Sequence, residues 1–162
     1  MAENIRSIYE ERRKMQDNNF GILQSIMKSY ELDKVEANNY SPLALAFIGD
    51  SVYDLVVKSV VTLHGNCQAN KLNAKSVGYV KAVSQAEVVD MLLEQGILTE
   101  EEEKIYRRGK NSKPGNFAKN APRAAYLKAT GLEAVIGYLY LKGDTDRVIE
   151  LMKLGMQKID AD

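Results

Sequence analysis

From Leu132 to Leu141 the chain reads Leu-Glu-Ala-Val-Ile-Gly-Tyr-Leu-Tyr-Leu, and Glu133 is the only charge in the run. A helix that is apolar on every side belongs inside a protein. This run is far short of the ~18 apolar residues a membrane helix needs, and no other run comes closer. It therefore predicts a buried helix near Ala129–Lys142, in a chain whose 162 residues are about right for one domain. A chain of that size buries roughly 70% of its unfolded surface and needs no covalent or metal staple. The cysteine and histidine counts agree. Cys67 and His64 each stand alone, which excludes an intrachain disulfide and a cysteine-cluster zinc site and argues against His-based chemistry. Met1–Arg6 carry charges where a signal peptide has its apolar core, so a cytoplasmic protein is expected.

The rest of the chain is punctuated as helices, with no sustained two-residue alternation to mark strands. Ser41-Pro42 pairs an N-cap with proline at the first helical position, opening a helix to about Leu63 with Gly65 as its stop. Its apolar face comprises Leu45, Ile48, Val52, Leu55, Val56 and Leu63. Ser84 and Glu87 fit a capping box, with Gly96 ending that helix. Thr99 and Glu102 fit a second box, closed by Gly109. Lys110–Asn120 has loop chemistry. A short helix near Pro122–Lys128 precedes the apolar one. After Gly143-Asp144 a last helix runs to about Ile159. Asp17-Asn18-Asn19 breaks an N-terminal stretch before a helical Phe20–Tyr30. The expected fold class is all-α, with residues 1–30 an N-terminal helical extension and 31–162 the main domain.

Glu133 poses the chemical question. A buried carboxylate must be paired, protonated or bound to a metal. Pairing with a nearby Lys or Arg is the plainer reading. Asp50 and Asp54, on a polar face with Phe47, Ser51 and Lys58, could simply be solvated. Two glycines favour another arrangement. Gly49 sits mid-helix, where it costs ~1 kcal/mol against alanine, and Gly137 lies one turn after Glu133. If the two meet at one helix crossing, Asp50 and Glu133 come together. Adjacent carboxylates need a cation or a proton between them. Mg²⁺, which takes one or two carboxylates, several waters and phosphate oxygens, suits such a pair. A general acid–base couple also suits it, though nothing marks a sugar-binding cleft.

Charge is distributed unevenly. Net charge is zero, yet between Glu103 and Glu133 there is no acidic residue. That stretch holds Lys104, Arg107, Arg108, Lys110, Lys113, Lys119, Arg123 and Lys128, interleaved with Asn111, Ser112, Asn116 and Asn120. Charge runs are usually solvated faces, and one this one-sided also suits tracking of a phosphate backbone.

Leu45–Tyr53, with sequence Leu-Ala-Phe-Ile-Gly-Asp-Ser-Val-Tyr, resembles the signature helix of the ribonuclease III family. Glu133–Leu141 resembles that family's second acidic helix. Val80–Ala86, Leu98–Glu103 and Arg107–Lys113 match as well. Within the family the likeness is to the Mini form, which lacks a separate double-stranded-RNA-binding domain. It runs from about residue 33 to 158. The resemblance implies a ribonuclease III-like helical bundle that forms a homodimer and holds duplex RNA across a shared groove. It implies Mg²⁺-dependent hydrolysis, with Mn²⁺ able to substitute, leaving 5′-phosphate and 3′-hydroxyl ends. Asp50 and Glu133 match the catalytic, metal-binding carboxylates. The basic segment, with Arg107, Arg108, Lys110, Asn111, Lys113 and Lys119, is the expected RNA contact. For the Mini form the implied substrate is precursor 23S ribosomal RNA, and zero net charge suggests a helper such as a ribosomal protein in positioning it. Full-length members carry acidic residues where this chain has Ala46 and Thr130. That leaves the number of metals open.

A non-catalytic RNA-binding module of the same fold is the alternative, and a helical scaffold with no RNA role is a third. An intramolecular carboxylate pair favours the enzyme, because binding RNA does not require one. The basic segment favours either RNA reading over the scaffold.

Overall fold

The computed structural model describes residues 21–112 and 122–162, and among these every regular element is helical. The chain divides into two units, Met1–Val35 and Glu36–Asp162. In the first, helix α1 spans Ile22–Ser29, inside the helical stretch the sequence indicated, and buries none of its residues. The second begins with a 3₁₀ turn at Ala37–Asn39. Six helices follow: α2 (Pro42–His64), α3 (Ala69–Val80), α4 (Ala82–Glu94), α5 (Glu100–Lys110), α6 (Arg123–Lys142) and α7 (Thr145–Ala161). No helix among the described residues is long and apolar enough to cross a membrane.

Helix α6 is the core, as its unbroken apolar run requires. Leu132, Val135, Ile136 and Leu139 are almost wholly buried. Helix α2 packs most closely on it, α5 and α4 lie against its other sides, and α7 packs on α4 and α6. The short helix expected at Pro122–Lys128 is the first part of α6. Pro122 stands before the first turn, and nothing from Arg123 to Ala129 interrupts the backbone ladder. Gly143 ends the helix at φ 87°, a conformation an L side chain resists. Asp144 then caps α7 by accepting from the Arg147 amide.

The Ser41 cap is present, with its Oγ accepting from Ala44 N at 3.2 Å. The buried stripe of α2 runs through Leu45, Val52, Tyr53, Val57 and Val61. Leu55, expected on that stripe, lies about 80° around the helix from Leu45 and is exposed, as is Leu63 in the last turn. The capping box expected at Ser84 does not form. Helix α4 starts earlier, after Lys81, and the buried Ser84 Oγ instead donates to Gly78 O at 2.7 Å. The sequence did not mark α3 as a helix. It has no side-chain cap, and its first turns are polar, with Asn70, Lys71, Asn73 and Lys75.

The second box is as expected. Thr99 Oγ1 accepts from Glu102 N, and Glu102 Oε2 accepts from Thr99 N at 2.9 Å. The same carboxylate takes two guanidinium bonds from Arg147 of α7, each 2.9 Å, while Arg147 also donates to Ile97 O. Burial alone would raise the Glu102 pKa, but these hydrogen bonds from Arg147 and Thr99 outweigh it and hold the carboxyl below its usual range. Gly109 does not stop α5. It lies in the last turn and meets Gly131 of α6, where an added Cβ would come to 3.0 Å from the Gly131 Cα.

Candidate active site

Helices α2 and α6 cross backbone to backbone. A Cβ built on Gly49 would lie 1.7 Å from Glu133 O and 2.8 Å from Gly137 N. A Cβ on Gly137 would lie 1.9 Å from Leu45 O and 3.0 Å from Gly49 N. No side chain fits between the helices at this point. The two glycines that carry a helix-propensity cost thus meet at one crossing, the arrangement their sequence positions suggested. The residues beside them, Asp50 and Glu133, are brought to the same place.

Their environments differ. Asp50 stands at the exposed edge of α2. Its pKa is raised by partial burial of the carboxyl and by the negative charge of Asp54. Glu133 lies deeper, and its pKa is pushed up to about 8. Burial is the main cause, the charge of Asp50 adds to it, and a hydrogen bond from Gln85 opposes both. Among the described residues Glu133 accepts a hydrogen bond from Gln85 and pairs with no Lys or Arg. Its field reaches Tyr53, whose phenol is kept protonated by burial and then by Glu133. The Tyr53 hydroxyl donates to Tyr79 O at 3.1 Å.

Gln85 is the site residue that sequence reasoning did not single out. It is 2% exposed, and its Nε2 donates to Val80 O at 3.0 Å and to Glu133 Oε1 at 3.2 Å. Its Oε1 is buried without a donor among the described residues. A signal was present: Gln85 precedes Val88, Val89 and Leu92 at helical spacing, a polar residue on a core-facing stripe.

The donor set is two carboxylates, hard oxygen ligands of the kind Mg²⁺ and Mn²⁺ take. Among the described residues no group of three or more His, Cys, Asp or Glu is placed to hold a metal ion. Ala46 and Thr130 precede Asp50 and Glu133 by about one turn on the same helices. Both are buried, and Thr130 Oγ1 donates to Tyr126 O.

A Ribonuclease III domain model matches residues 43–144, a span that holds Asp50, Glu133 and the glycine crossing. The chain belongs to the ribonuclease III family. It is 38% identical over 126 residues to the Mini-ribonuclease 3 of Streptococcus pneumoniae, covering 78% of this chain and 98% of that one. It is 42% identical over 129 residues to the Mini-ribonuclease 3 of a Thermoanaerobacter species, covering 80% and 89%. A crystal structure of a Fusobacterium nucleatum protein superposes with a TM-score of 0.66 at 28% identity, over 74% of this chain and 93% of that one. This member of the ribonuclease III family is an endoribonuclease.

The basic residues of this ribonuclease III homologue gather only in part. Arg107, Arg108, Lys110 and Asn111 share the C-terminal end of α5, where cations also complement the helix dipole. Arg107 pairs with Glu103 at 2.7 Å, and Arg108 donates to Tyr40 O at 3.2 Å. Lys128 pairs with Asp90 of α4 at 2.7 Å. Lys113 and Lys119 lie outside the described residues.

Proposed function

We propose that this endoribonuclease cuts double-stranded RNA with Asp50 and Glu133 as its metal-binding carboxylates. The observation that carries the reading is the Gly49–Gly137 crossing. It holds two carboxylates together in a setting where neither has a cation of its own among the described residues. A divalent ion, Mg²⁺ or Mn²⁺, supplies charge neutralisation and water activation when bound. Glu133, buried beside the Gln85 amide, and Asp50, at the exposed edge of α2, are the residues that would hold it. Asp50 and Glu133 would hold that ion beside the phosphodiester to be cut, and cleavage would leave 5′-phosphate and 3′-hydroxyl ends.

The catalytic domain is residues 31–162, and no role is assigned to 1–30. The exposed residues at the end of α5, with Lys113 and Lys119 beyond, hold the RNA backbone without reading sequence. The working form is a homodimer, as likeness to the ribonuclease III family implies. Leu43, Phe47 and Leu55 stand exposed along one side of α2, with Phe47 80% exposed, and provide an apolar contact for a second copy. Likeness to the Mini form supports a cytoplasmic role in maturing 23S ribosomal RNA precursor ends, with a ribosomal protein positioning the substrate.

The test is cleavage of a duplex and of a single strand of the same sequence, with and without Mg²⁺. Cleavage of the duplex alone, only with Mg²⁺, is expected from the wild type. Asp50→Asn and Glu133→Gln should bind duplex and leave it intact. Duplex binding by wild-type protein without cleavage in Mg²⁺ or Mn²⁺ would favour the non-catalytic module.

A further inference from the structure

We infer that Gln85 is a positioning residue for the acidic pair, fixing the Glu133 carboxylate in the orientation that receives a divalent cation. The inference rests on the reading of Asp50 and Glu133 as metal ligands and extends it to a side chain outside the pair.

Three observations carry it. First, Gln85 Nε2 reaches Glu133 Oε1 at 3.2 Å and Val80 O at 3.0 Å. The Val80 carbonyl lies where α3 gives way to α4, at a bend made by Lys81 with ψ 146°. Gln85 therefore ties one oxygen of a carboxylate on α6 to the main chain of a different part of the fold. The second oxygen is left out of that tie. A glutamate side chain has three rotatable bonds, and one bond to a fixed partner removes most of its freedom, which is how outer residues orient metal-ligating carboxylates.

Second, the amide is an expensive choice for the fold alone. Gln85 is 2% exposed and its Oε1 has no donor among the described residues. Buried polar atoms are normally paired, and an unpaired one costs about 1–3 kcal/mol. A Met or Leu here would fill the space without that penalty. A group kept at such a cost points to work beyond packing.

Third, the orientation of the amide is decided by its surroundings. Val80 O can only accept, so the NH₂ end must face it, and the Oε1 end is turned away. The arrangement that gives Glu133 a donor is therefore the one the main chain enforces.

The test is Mn²⁺ binding to the full-length protein, followed by the paramagnetic signal of free Mn²⁺, alongside thermal melting without metal. For Gln85→Met we expect an apo melting temperature within about 3 °C of wild type, since the lost bond to Val80 is offset by removal of the orphaned oxygen. The Mn²⁺ dissociation constant should rise about tenfold or more, the usual effect of removing a residue that orients a ligand. With saturating duplex, kcat should fall while KM for RNA holds, and raising Mn²⁺ should recover part of the loss. Gln85→Leu should behave in the same way. Unchanged Mn²⁺ affinity in both folded variants overturns the inference. So does a fall of more than about 10 °C in the apo melting temperature of both, which makes Gln85 a strut of the core. A wild type whose Mn²⁺ binding is insensitive to Asp50→Asn and Glu133→Gln overturns the metal assignment itself. That outcome is distinct from failure at Gln85.

Discussion

At Glu133, geometry and ionisation can be tested together. Its pKa rises from 4.5 in the unfolded chain to about 8 in the fold. The folded state thus binds the proton more tightly, so this group's effect on stability is most favourable below about pH 4.5 and declines as pH rises to about 8. Glu133→Gln mimics the protonated form. Without metal, it should melt close to wild type at pH 5 and above it at pH 8, by the equivalent of about 4 kcal/mol at most. Mg²⁺ at pH 8 should raise the wild-type melting temperature and leave the variant unmoved. A variant that melts well below wild type at both pH values would restore a structural ion pair. The glycine crossing gives a second test. On helix propensity alone, Gly49→Ala should stabilise by ~1 kcal/mol. The Cβ would lie 1.7 Å from Glu133 O, so the expected result is the reverse, a loss of about 3 kcal/mol or more in urea unfolding. This pair was legible in the sequence because a glycine inside a helix and a charge inside an apolar run both break a local rule. Gln85 broke one too, but a neutral amide on a buried stripe is a quieter anomaly than a carboxylate.

Among the elements, those with a strong end signal were read best. The Thr99 box and the Ser41 cap form as expected because each is decided within four residues. Helix α3 and the start of α4 were not legible, since their ends are set by partners far along the chain or across a bend, such as Ser84 reaching back to Gly78. The charge map shows the same limit. The stretch from Lys104 to Leu132 lacks acidic residues in sequence, but Asp90 approaches Lys128 from α4. Two predictions belong here. Thr99→Ala should cost about 1 kcal/mol, the usual value of a cap. Arg147→Met should cost more, about 3 kcal/mol, because it leaves the Glu102 carboxylate buried without its partner. The contribution of Glu102 runs opposite to that of Glu133. Its pKa is lowered in the fold, so its stabilisation is present above about pH 4.5 and lost as pH falls through the folded value.

At the scale of the whole molecule, the active form should be set by α2 and the end of α5. Phe47→Asp should shift sedimentation from dimer to monomer at micromolar concentration while leaving the fold intact, since Phe47 is 80% exposed in one subunit. A wild type that sediments as an active monomer would remove the dimer from the proposal. Replacing Arg107, Arg108 and Lys110 by Ala should weaken duplex binding about equally for all sequences. It should also make the dependence of log affinity on log salt shallower. Arg107 and Arg108 already hold protein partners, so the change in slope should be smaller than three full phosphate contacts would give. The contact between α2 and α6 also limits how this enzyme can diverge. Two main chains that already touch cannot be drawn nearer, and the smallest substitution wedges them apart in one jump. The gap between Asp50 and Glu133 is therefore not a quantity that drift can adjust by degrees. A side chain added at Gly49 or Gly137 would change the span between the acidic residues in a single step, whereas exchanges at side chains beside the crossing leave it as it is.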